Sequence, residues 1–179
     1  MSETKTTAAA SAGSALMRTS TALMRTSTDE PIDKSQWPRG PWDDEPDLLE
    51  WQSATPPHYW CQIARNPMWG TLNGYVAVPL GHPAHGWNTQ RCCELEVHGE
   101  VTWAGPGVGD LWVIGFDCGH GFDLQPGIEG LFSRMTRLQL SPAMPWGSVY
   151  RDLPYVRSEV ESLARQLAGL VPSLPEGQP

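Results

Sequence analysis

Near the C-terminus, apolar residues recur at steps of three and four: Leu153, Val156, Val160, Leu163, Leu167 and Leu170. That period belongs to an amphipathic helix, with Asp152 placed to cap its start and Pro172 to stop it. Upstream the period shortens to two. Tyr59 to Arg65 alternates and Leu72 to Leu80 is rich in β-formers, while Asn66, Pro67 and Gly70 supply turn chemistry between them, which predicts a hairpin. Cys93, Leu95 and Val97 alternate with Glu94, Glu96 and His98, as in a half-buried strand followed by a second. Asp110 to Cys118 is a nearly unbroken apolar run, the pattern of a central strand covered on both faces. GPGVG at 105–109 reads as a hairpin turn, since no helix follows it and no phosphate-loop pattern surrounds it. Asp44 to Trp51 is expected to form one or two helical turns. Residues 119–150 show no clear period and are expected to be a long loop, with at most a short helix around Ile128 to Met135. The sum is an α+β domain, a mainly antiparallel sheet with the C-terminal amphipathic helix packed on it.

Composition sets the limits of that domain. The 179 residues include 18 Gly, 17 Pro and 9 Trp, which suits one turn-rich body rather than a helical bundle or coiled coil. Residues 1–36 are expected to be a disordered low-complexity tail, 37–172 the single globular domain, and 173–179 a short flexible terminus. The tail contains ALMRTST twice in tandem, at 15–21 and 22–28, too few copies for a solenoid. Met17 and Met24 stand as candidate alternative starts. No stretch approaches the roughly 20 apolar residues of a membrane span, and no signal-peptide core is present, so a cytoplasmic location is expected.

The formal net charge of -8 falls on the body, because Lys5, Arg18 and Arg25 balance Glu3, Asp29 and Glu30 in the first thirty residues. An acidic surface is a poor partner for a phosphate backbone, which disfavours nucleic acid while leaving room for a small anion held by an arginine such as Arg65 or Arg151. Cys61, Cys92, Cys93 and Cys118 form no Cys-x-x-Cys pair, so neither a zinc ribbon nor a thioredoxin-type motif is written here. Burial is the expected fate of Cys118, ahead of a nucleophile paired with His98 or His120.

His82, His85, His98 and His120 fall where strands end or loops turn, and Asp117 and Asp123 flank the last of them. Imidazole and carboxylate together suit zinc or another divalent metal, and His82, His98, Asp117 and His120 are the candidate ligands. Structural turn-capping by the same residues is the competing explanation. As a ligand pocket the set widens to His82, Trp87, His98, Asp117, His120, Asp123 and Arg151, with Trp87 on the rim.

Five segments carry a resemblance: GPWDDEPD at 40–47, LNGYVAVPLGHPAHG at 72–86, ELEVHGEVTWAG at 94–105, LWVIGFDCGHGFD at 111–123 and YRDLPYVRSEVESLARQL at 150–167. Through them the chain resembles an uncharacterised family of small proteins of bacteriophages and actinobacteria, over most of residues 37–170. Where relatives read His-Gly-Gly, this chain has His98, Gly99 and Glu100. The resemblance implies a phage or prophage accessory protein acting in the host cytoplasm. The function expected on this basis is capture of a small, nucleotide-like ligand or a host protein in the manner of counter-defence proteins, with metal-dependent hydrolysis by the His/Asp cluster as the alternative.

Overall fold

The computed structural model describes residues 31–137 and 147–170. The duplicated ALMRTST segment, the C-terminal stretch 173–179 and part of the expected 119–150 loop lie outside the described residues.

Five strands form one antiparallel sheet: β1 (Leu48–Gln52), β2 (Trp60–Arg65), β3 (Leu72–Val78), β4 (Trp103–Pro106) and β5 (Trp112–Phe116), in the order β1-β2-β3-β5-β4. Helix α1 spans Pro126–Arg137 and α2 spans Leu153–Gly169. The α+β architecture with the C-terminal helix on the sheet is therefore as the periodicity predicts.

Alternation sorts the two sheet faces. Cys61, Ile63, Leu72, Val76, Val78, Ile114 and Phe116 point to the core, where Val156, Val160, Leu163, Ala164 and Leu167 of α2 meet them. Gly74 lets the helix approach. A Cβ there would come within 2.5 Å of Val160 Cγ2 and 2.6 Å of Phe116 Cζ. Trp51 Nε1 donates to Glu161 at 2.7 Å and ties the edge strand to the same helix. The opposite face carries Tyr75, Ala77 and Val113 between the exposed Trp60 and Trp103.

The predicted hairpin of β2 and β3 is present, with Asn66 Oδ1 accepting the Met68 and Trp69 amides in its turn. GPGVG does join β4 to β5, closed by Gly107 N donating to Leu111 O at 2.9 Å.

Four expectations need correction. Asp44 to Trp51 is not helical. Its second half is β1, because Leu48 to Gln52 finds a ladder on β2, and only Pro41–Asp43 makes a 3-10 turn. Residues 93–98 do not form a strand. Glu96 gives its backbone hydrogen bonds to the Gln166 side chain on α2, at 2.7 Å in each direction, and Cys92 turns inward while Cys93 is exposed. β3, not β5, is the central strand, although β5 is interior and buried as its composition requires. The helix after residue 119 is also longer than expected. Gly127 and Gly130, which lower helix propensity, are there for close approach: a Cβ at Gly127 would strike Met68 O and one at Gly130 would strike Gln36 O.

Candidate functional site

Asp123 is the centre of the site. It follows the buried end of β5 in a tight loop, where Asp117 Oδ1 accepts the Gly119 amide at 2.8 Å and Asp123 N donates to His120 O at 2.9 Å. A parallel bridge to Val149 brings the segment before α2 alongside this loop. Asp123 is only 3% exposed, so its charge requires partners.

Those partners are present. Oδ1 accepts Arg151 Nε at 2.9 Å, and Oδ2 accepts the His120 amide at 3.0 Å and lies 2.8 Å from His98 Nε2. Burial pushes the Asp123 pKa up, but the hydrogen bonds from His98, Arg151 and the His120 amide outweigh it, and the net direction is down. The carboxylate is held as an anion.

His98 reaches Asp123 with one ring nitrogen and Tyr155 with the other, Nδ1 lying 2.9 Å from the phenol oxygen. Tyr155 owes its position to the start of α2, where Asp152 caps the Tyr155 amide at 2.9 Å. The rings of His98 and His120 meet edge to face with centroids 5.3 Å apart. Gly99 makes this possible, since its backbone is left-handed (φ 68) and any Cβ would collide with the His120 ring.

His120 Nδ1 sits 3.4 Å from Asp123 Oδ2 and has no hydrogen-bond partner. One ligating atom from each of His98, His120 and Asp123 lies within 4.8 Å of the others. Two imidazoles and a carboxylate with one nitrogen unspent are a donor set for a divalent transition ion.

Not all the predicted residues meet here. The structure brings together His98, His120, Asp123 and Arg151. His82 lies beside the far end of α2, with Nε2 on Leu167 O at 3.1 Å and Nδ1 accepting the Ala84 amide at 3.0 Å. Twelve residues of helix separate Leu167 from Tyr155, roughly 18 Å. Asp117 directs a carboxylate oxygen to its own loop, where Oδ1 accepts the Gly119 amide, and is not part of the cluster. Trp87 packs at the start of β5, where its carbonyl accepts Trp112 Nε1 at 2.9 Å, and Arg91 stacks on its ring. Glu100 is exposed and points no hydrogen bond into the cluster.

Cys118 is buried, and burial together with the charges of Asp123 and Asp117 drives its thiol pKa well up. It is no nucleophile in this state. Tyr155 is the site residue that sequence reasoning missed. In the helical pattern it is one more aromatic near the N-cap, and only its spacing of three from Asp152 marks it as a first-turn position facing the preceding loop.

Compared with protein-family models, curated proteins and solved structures, the chain matches none. No helix among the described residues is long and apolar enough to cross a membrane.

Proposed function

We propose that the protein is a metal-assisted hydrolase of a small molecule, its ion held by His98, His120 and Asp123. The observation that carries this reading is the convergence of three ligating atoms with His120 Nδ1 left without a hydrogen bond. Three protein ligands with a further position open to water is the arrangement of catalytic rather than structural zinc. His120 Nδ1 is itself buried, while the His120 side chain as a whole is 37% exposed and gives the cluster an edge toward solvent. An ion held by these three residues would supply an activated water as nucleophile, a role that the buried thiol of Cys118 cannot fill. Tyr155 and Arg151 orient the ligands His98 and Asp123 through their hydrogen bonds. The setting we propose is that of a phage or prophage accessory protein in the host cytoplasm.

Protein purified without chelator is expected to carry stoichiometric zinc or manganese, to lose it in His120→Ala, and to hydrolyse a generic ester or phosphoester only when loaded. Metal-free protein that takes up neither ion on titration ends the reading.

Capture without turnover is the second reading, favoured by one observation. Apart from a metal-bound water, the cluster offers no free base or nucleophile once His98, His120 and Asp123 serve as ligands, Asp123 also accepting from Arg151 and the His120 amide. Loaded protein that retains a small molecule or a host protein from cell extract and shows no turnover decides for capture.

A further inference from the structure

The hydrogen-bond roles of His98 change when an ion is present, and the consequence reaches the ligand. Without an ion, the anionic Asp123 requires a proton on His98 Nε2, so Nδ1 is bare and accepts the Tyr155 hydroxyl. An ion held through Nε2 would need that nitrogen bare and would leave the imidazole proton on Nδ1. Nδ1 then donates to the Tyr155 oxygen, and the phenol must aim its own hydrogen elsewhere. Among the described residues, His98 is the only hydrogen-bond partner of that hydroxyl.

Arg151 adds a second unspent donor on the same side. Its Nε is committed to Asp123 Oδ1, its Cζ lies 5.0 Å from the centre of the Tyr155 ring, and its two terminal nitrogens have no acceptor among the described residues. Asp123 would offset one unit of the ion's charge and Glu159, whose negative charge is felt at Tyr155, a second, while Arg151 adds one, so the metal, the guanidinium and the freed hydroxyl would form a corner of net positive charge.

We infer that Arg151 and Tyr155 form, beside the metal held by His98, His120 and Asp123, a subsite for the phosphoryl group of a small phosphate-bearing ligand. The inference rests on the metal reading above. Three separate electropositive groups match the three oxygens of a tetrahedral phosphoryl group, whereas a carboxylate has only two to offer. The acidic body of the protein restricts the ligand to a small molecule, because a long phosphate backbone would meet the net charge of -8.

The test is calorimetric titration of inorganic phosphate, with acetate as the planar comparison, into full-length protein loaded with zinc and freed of excess metal. Wild type is expected to bind phosphate at least tenfold more tightly than acetate. At full zinc loading Tyr155→Phe should weaken phosphate binding about tenfold, and Arg151→Lys should weaken it further by replacing a planar fork with a point charge. If Arg151→Lys does not fold, Tyr155→Phe, which keeps the ring, decides alone. Zinc uptake with no phosphate binding, with equal binding in Tyr155→Phe, or with acetate bound as tightly as phosphate overturns the subsite and leaves the metal reading standing. Failure to take up zinc or manganese overturns both.

Discussion

Gly99 shows how much of the site depends on a single atom that is not there. The His120 ring occupies the space a side chain at 99 would fill, and φ 68 is a conformation that L side chains rarely adopt. Gly99→Ala therefore carries a backbone penalty of about 1–2 kcal/mol and also expels His120 from the cluster. Because His120 is half-exposed, its ring can swing outward, so the expected outcome is a modest fall in melting temperature with loss of bound metal. Unchanged metal content in Gly99→Ala would show that His120 is not a ligand. Asp123→Asn tests the carboxylate in a complementary way. It keeps the shape of the side chain but leaves the partly exposed Arg151 without its counter-ion, so stability is expected to fall by about 1.5–3 kcal/mol in chemical denaturation, the worth of hydrogen bonds to a charged group. A change below about half a kcal/mol would mean that Arg151 finds another acceptor.

At the level of elements, α2 joins both ends of the molecule, and each end can be probed. Leu163 is fully buried against the sheet, and Leu163→Ala is expected to cost about 2–5 kcal/mol. At the far end, His82 is held neutral: burial lowers its pKa below 6.5, against the opposing bond to Leu167 O and together with the repulsion from His85. Its Nδ1 faces the Ala84 amide, where a second proton has no acceptor. The unfolded chain thus takes up this proton at a higher pH than the folded one. The stability is fully present above about pH 6.5 and declines as pH falls toward the depressed folded value. His82→Gln should flatten the pH dependence of unfolding in that window, and an unchanged slope would assign it to other groups. Helix α2, the β2–β3 hairpin and the buried run of β5 were legible in the sequence because each satisfies its own period locally. β1 and residues 93–98 were not, since partners distant in the chain decide them: β2 recruits Leu48 to Gln52, and Gln166 takes the Glu96 backbone that a neighbouring strand would otherwise pair. The site was legible to the same degree. His98, His120 and Asp123 share loops with strong local turn signals, but only the fold shows that His82 lies at the wrong end of α2 and that Tyr155 lies at the right one.

For the molecule as a whole, one buried guanidinium holds together parts of the chain that the sheet alone does not connect. The Arg65 side chain is fully buried at the end of β2, and it reaches Asp47 at 2.7 Å, Glu45 at 3.0 Å, Gly70 O at 2.9 Å and the Tyr150 hydroxyl at 2.7 Å. Lys34 adds a second cation to Asp47 at 2.7 Å, and Glu45 also accepts the Leu153 amide at 2.9 Å. The network thus joins the segment before β1, the hairpin turn and the residues that lead into α2, next to Arg151. Burial favours loss of the Arg65 proton, but its bonds to Tyr150, Glu45 and Asp47 outweigh that, and its pKa moves up. Arg65→Met would leave the partly buried carboxylates of Glu45 and Asp47 without their main partner, and a loss of about 1.5–3 kcal/mol in denaturant unfolding is expected. Arg65→Lys should recover only a part, because an ammonium cannot reproduce a planar fork that serves four acceptors at fixed angles. Since Tyr150 precedes Arg151 in the chain, loosening this network should also weaken metal retention by the distant His98 cluster. Full stability in Arg65→Lys, or unaltered metal content in a folded Arg65→Met, would show that the two networks are independent and that the loop at Asp123 alone positions the site.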